Sequence, residues 1–178
     1  RKTVHHTVHT SILMALLGGI VVTIIGELGA DSILSMLNVP HDVYGQALLY
    51  LRIYLLGMPV ILLYNFEAAI FRSVGDTKVP LKTLVISGII NVLLNLFFVI
   101  ILKMTVNGVA IATVISNLIS AIILLNKLIK TDKYIHVELK DLRIYKLSLI
   151  KILKIGMPAG IQSAVFALAN IIIQAAIN

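Results

Sequence analysis

The sequence contains no cysteine and no tryptophan, and only 13% of its 178 residues are charged. The lack of cysteine excludes disulfides and thiolate metal ligands. A soluble domain of this length is about half apolar and about a quarter charged, whereas 59% of this chain is hydrophobic and its mean hydropathy is +1.02. One small globule cannot bury so much apolar surface, so we expect the chain to lie in a lipid bilayer.

Enzyme signatures are missing as well. The chain has no GxSxG, no HExxH, no phosphate-binding loop and no paired carboxylates within an apolar run, so we expect neither an enzyme nor a cofactor. The cluster of His5, His6 and His9 has no cysteine or acid nearby to complete a metal site. The net charge of +7 does not indicate nucleic acid, because the basic residues lie in gaps between apolar runs.

Five continuous apolar runs predict membrane-spanning helices, because each approaches the ~20 residues that cross the hydrocarbon and none alternates like a barrel strand. The predicted spans are residues 10–26, 51–71, 84–102, 106–125 and a fifth that begins about Ile155 and continues to Asn178. The predicted fold class is therefore all-α, a polytopic transmembrane helix bundle. Both ends are still apolar or lack a start signal, so we expect an internal piece of a longer membrane protein that does not fold alone.

The connections between the spans differ in kind. Residues 32–39 read as a short interfacial helix that Pro40 stops. Gly57 and Pro59 predict a bend inside the second span. Only residues 103–105 separate the third and fourth spans, which predicts a tight antiparallel hairpin. Pro158 is expected in the first turn of the fifth span, where its missing N–H costs little.

Lysine and arginine lie mostly on one side of the predicted spans. That side holds residues 1, 2, 72, 78 and 82 and the eight basic residues of 127–154, whereas the other side holds only Arg52 and Lys103. Basic residues are enriched in cytoplasmic loops. We therefore place residues 72–82 and 126–154 in the cytoplasm, and expect a multi-pass protein of the inner (cytoplasmic) membrane with Asp31 and Asp42 in outer loops.

The segment RSVGDTKVPLK between the second and third spans combines turn and cationic chemistry, and we interpret it as a cytoplasmic hinge loop. Gly75 can take a left-handed backbone where the preceding helix ends. Asp76 and Thr77 can accept free backbone N–H groups in the turn, and Pro80 fits the first turn of the next helix. Arg72 is expected at the level of the lipid headgroups.

Polar side chains recur every three or four residues inside the later spans, so they share helix faces. Amides without partners are costly in lipid, so these faces are expected to meet other helices or a wet cavity. Contacts between helices and the lining of a pathway for a polar or cationic solute both remain open. The pathway candidates are Asn91, Asn95, Asn117, Gln162, Asn170 and Gln174.

Glu67 is the single acid inside a predicted span. A charge at the centre of a membrane helix costs about 2.5–3.5 kcal/mol on insertion scales. One interpretation is that Glu67 extends to the cytoplasmic face and pairs with a base there. The alternative is a role in proton or sodium coupling, which makes Glu67 a further candidate for the ion pathway.

Three stretches resemble the multidrug and toxic compound extrusion (MATE) transporters: residues 50–59 (YLRIYLLGMP), 65–82 (NFEAAIFRSVGDTKVPLK) and 154–163 (KIGMPAGIQS). The central stretch carries an R-x-x-G-D-T-x-x-P pattern typical of that family, and Asn91, Asn95 and residues 107–116 fit its fifth and sixth helices. The resemblance implies helices three to seven of a twelve-helix, two-lobe transporter. Residues 1–130 would hold helices three to six, residues 131–154 the cytoplasmic interlobe linker, and residues 155–178 the start of helix seven.

The resemblance further implies antiport, in which rocking lobes export organic cations or drugs in exchange for Na⁺ or H⁺. The expected partners are the bilayer, small organic cations and the remainder of the same polypeptide. Two features depart from the family: Glu67 stands where members often have a small residue, and the fifth span has no acid where some branches carry a coupling glutamate. Two alternatives remain, a lipid-linked oligosaccharide flippase, which would need central basic residues that the spans lack, and a non-transporting membrane scaffold with sealed polar faces.

Overall fold

The computed structural model describes residues 2–177, so the predictions for Arg1 and Asn178 lie outside the described residues. Within that range the chain forms helices and no strand, which confirms the all-α prediction. A five-residue π-helical segment, Phe97–Ile101, extends the fourth helix, and a 3-10 turn, Leu139–Asp141, precedes the last. The six α-helices are α1 (Lys2–Met36), α2 (His41–Leu56), α3 (Met58–Ser73), α4 (Lys78–Leu96), α5 (Val106–Lys130) and α6 (Lys146–Ile177).

Five membrane crossings are consistent with these helices. By length and composition, α1, α5, α6 and α4 with its π-helical extension can each cross a membrane, and α2 with α3 makes a fifth span if the bent pair is one crossing. With the bent pair taken as one crossing, the five apolar runs of the sequence correspond to five crossings in the described range.

Helix α1 is about twice as long as the predicted span. It continues without a break to Met36, because no proline interrupts its backbone hydrogen bonds before Pro40. Asn38 then takes a left-handed backbone (φ 51°) that ends the helical path, and Pro40 caps the start of α2. The prediction of a separate interfacial helix at residues 32–39 was wrong, and Asp31 lies within α1 rather than in a loop.

The second crossing bends by 52° between α2 and α3, at Gly57. Pro59 follows in the first turn of α3, where its missing N–H is tolerated by a new helix but cannot continue the old one. The predicted bend is confirmed. The crossing begins at His41, ten residues before the predicted start at Leu51, because the polar residues of α2 are still helical.

Helices α4 and α5 form the predicted hairpin. They pack against each other, and Lys103 reverses the chain with a left-handed backbone (φ 51°). The Met104 N–H donates to the Phe98 carbonyl at 2.9 Å and closes the turn. Pro80 lies in the first turn of α4, as predicted.

Helix α6 begins at Lys146, nine residues before the predicted start at Ile155. Pro158 therefore lies inside the helix rather than in its first turn, and it removes the N–H that would otherwise reach the Lys154 carbonyl. The linker outside the α-helices is limited to residues 131–145, and it includes the 3-10 turn Leu139–Asp141. Ser148 is the one residue of α6 that is buried in the described chain, so this helix contributes little to the core.

The core lies around α3, which packs chiefly against α1 and α5. Near the middle of α1, α1 and α3 approach so closely that a Cβ on Gly19 would collide with the Cα of Pro59. Nearer the start of α1 the core is a cluster of apolar side chains from α1, α3, α5 and the linker, namely Val8, Ile12, Ala68, Ile70, Phe71, Leu124, Leu128, Ile135 and Val137.

Candidate functional site

A strip of hydrogen-bonded polar side chains, the polar strip, joins α4 to α5. The Ser87 hydroxyl donates to the Ser116 carbonyl at 3.0 Å, and the Asn91 Nδ2 donates to the Ser116 Oγ at 3.2 Å. The Asn95 Nδ2 then donates to the Asn91 Oδ1 at 3.0 Å. The spacing of four residues places the three α4 side chains on one helix face, so the predicted shared face is present and it points at α5.

Two polar groups on these helices make no hydrogen bond between α4 and α5: the Asn117 amide and the Asn95 amide oxygen. The Asn117 Nδ2 donates to the Thr113 carbonyl at 2.8 Å within its own helix. The Asn95 Oδ1 is buried and has no hydrogen-bond partner among the described residues. A buried amide oxygen without a donor is costly. Asn95 is therefore the member of the strip that can still accept a hydrogen bond or contact a cation.

The amides of α6 are not brought near this strip. Gln162, Asn170 and Gln174 are all exposed, and within the described range α6 packs against α1 rather than against α4 or α5. The Asn38 Nδ2 donates to the Ala175 carbonyl at 3.4 Å near the end of α6. Of the predicted pathway residues, Asn91 and Asn95 are therefore connected, Asn117 bonds within α5, and Gln162, Asn170 and Gln174 form a separate, exposed group on α6.

Glu67 is completely buried, with 0% of its side chain exposed. Neither carboxyl oxygen has a hydrogen-bond partner among the described residues. The interpretation that Glu67 extends to the surface and pairs with a base was therefore wrong. The side chain lies on the face of α3 that packs on α1 and α5, and α3 continues for six residues beyond it, which keeps it away from the surface.

The predicted hinge loop is shorter and more ordered than its sequence suggested, because residues outside Val74–Thr77 belong to α3 or α4. Gly75 has the predicted left-handed backbone (φ 78°). The Asp76 Oδ1 accepts the Val79 N–H at 3.2 Å, and that bond, with Lys133 beside it, holds the pKa of the Asp76 carboxyl below its usual value. The Thr77 side chain makes no capping hydrogen bond, contrary to prediction.

Arg72 lies exposed in the last turn of α3, where a positive charge interacts favourably with the helix dipole. It makes no ion pair within the described residues. The predicted headgroup level for Arg72 stays a prediction.

The linker is docked on the start of α1, which the sequence did not reveal. Ile135 and Val137 are buried in the core at 1% and 0% exposure. The His9 ring, also fully buried, accepts the Glu138 N–H at its Nε2 (3.0 Å) and bonds the His5 carbonyl through its Nδ1 (2.7 Å). The alternating apolar residues 135 and 137 were the signal in the sequence.

The histidine cluster serves this docking. The rings of His5 and His9 lie 4.0 Å apart, and the His6 ring stacks on Tyr145 at 3.7 Å. The Thr10 hydroxyl accepts the Tyr145 N–H at 3.1 Å. Among residues 2–177, no group of three histidine or acidic side chains is arranged to hold a metal ion.

Comparison with known proteins gives consistent results. The MatE family profile matches residues 1–97. The chain is 29% identical to the probable multidrug resistance protein YoeA of Bacillus subtilis, over 96% of this chain and 38% of that protein. It is thus similar to proteins named for drug resistance rather than for an enzymatic reaction, and it spans about two-fifths of the relative's length.

Two solved structures share the fold. One is an outward-facing conformation of a multidrug resistance MATE family transporter of the MOP superfamily, at TM-score 0.81 and 25% identity, covering 93% of this chain and 37% of that one. The other is an inward-facing conformation described in the same terms, at TM-score 0.74 and 23% identity, covering 88% and 41%. Since the family profile matches more than half of the residues, the chain belongs to the MatE family, the multidrug and toxic compound extrusion (MATE) proteins.

Proposed function

We propose that the full-length protein is a secondary active antiporter that exports organic cations or drugs across the cytoplasmic membrane in exchange for Na⁺ or H⁺. The observation that carries this proposal is the similarity of nearly the whole chain to both an inward-facing and an outward-facing transporter. A fold found in both states is consistent with alternating access, in which two lobes rock around a central site.

The polar strip between α4 and α5 supports a pathway for cations. Amide and carbonyl oxygens are suitable ligands for a cation inside a membrane protein, and the Asn95 Oδ1 has a lone pair free for this purpose within the described chain. Asn91 bonds Asn95 directly, Asn117 lies on α5 next to Ser116, and Gln162, Asn170 and Gln174 on exposed α6 would reach the pathway from the other lobe. The proposed partners are the lipid bilayer, the organic cation and the remaining helices of the same polypeptide.

A second candidate is a membrane scaffold that transports nothing. It is favoured by the Ser87 and Asn91 hydrogen bonds to Ser116, which satisfy these polar groups between helices without a solute. The two candidates differ in a measurable way, because only a transporter moves a solute when an ion gradient is imposed.

The test is an efflux assay with the full-length protein in proteoliposomes. A fluorescent organic cation is loaded, and its efflux is followed under an imposed Na⁺ gradient and, separately, under an imposed pH gradient. We expect efflux under at least one gradient, and that gradient identifies the coupling ion. Liposomes without protein and liposomes with a collapsed gradient are the controls. If no cation moves under either gradient across several cations, the antiporter proposal is overturned and the scaffold is favoured.

A further inference from the structure

Glu67 is buried by this chain alone. Its side chain has 0% exposure when only residues 2–177 surround it. Helices from the rest of the protein therefore cannot contact it in this packing, since no part of its surface is open to them. Within the described chain the two carboxyl oxygens have no hydrogen-bond partner. In the same packing, the remaining helices of the full-length protein cannot supply one.

The surroundings of Glu67 are apolar. Residues three and four positions away lie on the same face of a helix, and for Glu67 these are Leu63, Tyr64, Ile70 and Phe71. All four belong to the apolar cluster or pack against it, and the cluster is completed from α1 and α5 by Val8, Ile12, Leu124 and Leu128.

Ionisable groups on the elements packed around Glu67 are turned elsewhere. On α1, His9 bonds the His5 carbonyl and the Glu138 N–H. On α5, Lys127 is exposed, and Arg72 on α3 itself is exposed as well. Also on α1, His5 lies 3.8 Å from Asp141 and His6 stacks on Tyr145. Lys133 of the linker and Asp76 of the hinge loop pair with each other at 3.3 Å. The Tyr64 phenol, on the same face of α3, is not a hydrogen-bond partner of the Glu67 carboxyl.

An ionised carboxylate in this position would have no counter-charge and no hydrogen bond. Burial of such a charge is strongly unfavourable, so the group takes up a proton instead. An alkali cation would need several oxygen ligands in place of its water, and the described residues give this carboxyl no hydrogen-bond partner. A proton needs only the carboxylate, and is the one coupling ion that fits this site.

We propose that Glu67 is a proton-binding site of the transport cycle, neutral in the packing seen here and deprotonated when the contacts of α3 with α1 and α5 open to water. The carboxylic acid releases one proton to the water that enters and is left as the carboxylate. The element that can move is α3, since it joins α2 through the 52° bend at Gly57. The inference rests on the proposed antiporter and narrows its coupling ion to the proton.

The protonation state is tested without transport. Infrared difference spectra of the full-length protein in liposomes are recorded for wild type and Glu67→Gln at neutral pH. We expect the wild type to show the carbonyl stretch of a neutral carboxylic acid that the variant lacks, and the band to disappear on titration to alkaline pH. A wild-type spectrum without that band, or with the carboxylate stretch in its place, overturns the proton site.

The coupling role is tested by efflux. In Glu67→Gln we expect efflux driven by a pH gradient to fall about tenfold or more, while passive exchange of labelled cation across equal solutions persists. Glu67→Leu is expected to show the same loss of pH-driven efflux. It is also expected to fold, because the leucine would lie among apolar side chains. Glu27→Gln is the matched control, since Glu27 lies 3.8 Å from Arg52 and is expected to keep wild-type efflux when changed.

The outcomes separate the two proposals. Wild-type efflux under a pH gradient that survives in both Glu67 variants overturns the coupling role, as does wild-type efflux driven by Na⁺ alone. Wild-type protein that moves no cation under either gradient overturns the proposed function, and the infrared band then still decides whether Glu67 binds a proton.

Discussion

Single glycines set the distance between helices in this bundle. A Cβ on Gly19 would overlap the Pro59 Cα, so the backbones of α1 and α3 touch at this point. For the neighbouring Gly18, no heavy atom of the described residues lies within 4 Å of the Cβ position. Two adjacent glycines in the same helix therefore have opposite roles, one required by packing and one not.

This contrast gives a paired prediction. We expect Gly19→Ala to lower the free energy of unfolding by about 1–3 kcal/mol, because the added methyl must push the two backbones apart. Gly18→Ala is expected to be neutral or to stabilise by up to about 1 kcal/mol, because alanine favours helix over glycine. Thermal unfolding of the purified full-length variants in detergent measures both. Equal stability of the two variants would contradict the close approach of α1 and α3.

Residues whose roles depend on near neighbours could be predicted from the sequence, and others could not. The left-handed Gly75 and the Asp76 bond to the Val79 N–H both involve residues at most three positions apart. The burial of Glu67 instead depends on α1 and α5, which are distant in sequence. Counting residues to the helix end correctly places Glu67 near Arg72, but it does not show which face of α3 the side chain occupies.

The linker between α5 and α6 is a packed element rather than a loose tether. The Val137 N–H donates to the Leu128 carbonyl at 3.1 Å, and the His9 and Thr10 side chains bond the backbone of Glu138 and Tyr145. These contacts attach residues 131–145 to α1 and α5. The first part of the linker is therefore expected to move with those helices.

Because the linker is packed on α1 and α5, we expect its basic residues to resist cleavage by trypsin; these are Lys133, Lys140 and Arg143. The double variant Ile135→Ala, Val137→Ala removes buried methyl groups and is expected to raise the rate of cleavage about tenfold, because cleavage follows the population of the opened state. Leu139→Ala is the control, since Leu139 is 57% exposed. Gel analysis of timed digests of the full-length protein measures the rates. Similar rates in the double variant and the control would show that the linker is not docked.

The helices were predicted at the right places, but several of their first and last residues were predicted incorrectly. Hydropathy locates the part of a helix that lies inside the hydrocarbon. The helix continues beyond that part for as long as its backbone hydrogen bonds are uninterrupted. Thus α1 continues through residues 27–36, and α6 begins at Lys146 among lysines and serines that hydropathy excludes. The bend at Gly57 and the start of α5 at Val106 were predicted correctly.

At the scale of the whole molecule, the ion pairs of the described residues lie at the two ends of the bundle. At one end Arg52 lies 3.3 Å from Asp31 and 3.8 Å from Glu27, which joins α2 to α1. At the other end Lys133 of the linker pairs with Asp76 of the hinge loop at 3.3 Å. The linker and the hinge loop therefore lie on the same side, as the distribution of lysine and arginine predicted, and this agreement comes from contacts rather than from charge counts.

Which side faces the cytoplasm can be tested by cysteine labelling, because this chain contributes no cysteine of its own. Lys103→Cys and Lys140→Cys replace exposed residues on opposite sides, the first in the α4–α5 turn and the second in the linker. In intact cells that express a cysteine-free full-length background, a membrane-impermeant maleimide is expected to label position 103. Position 140 is expected to react only after the membrane is permeabilised, because basic residues are retained on the cytoplasmic side. The reverse pattern would invert the proposed topology.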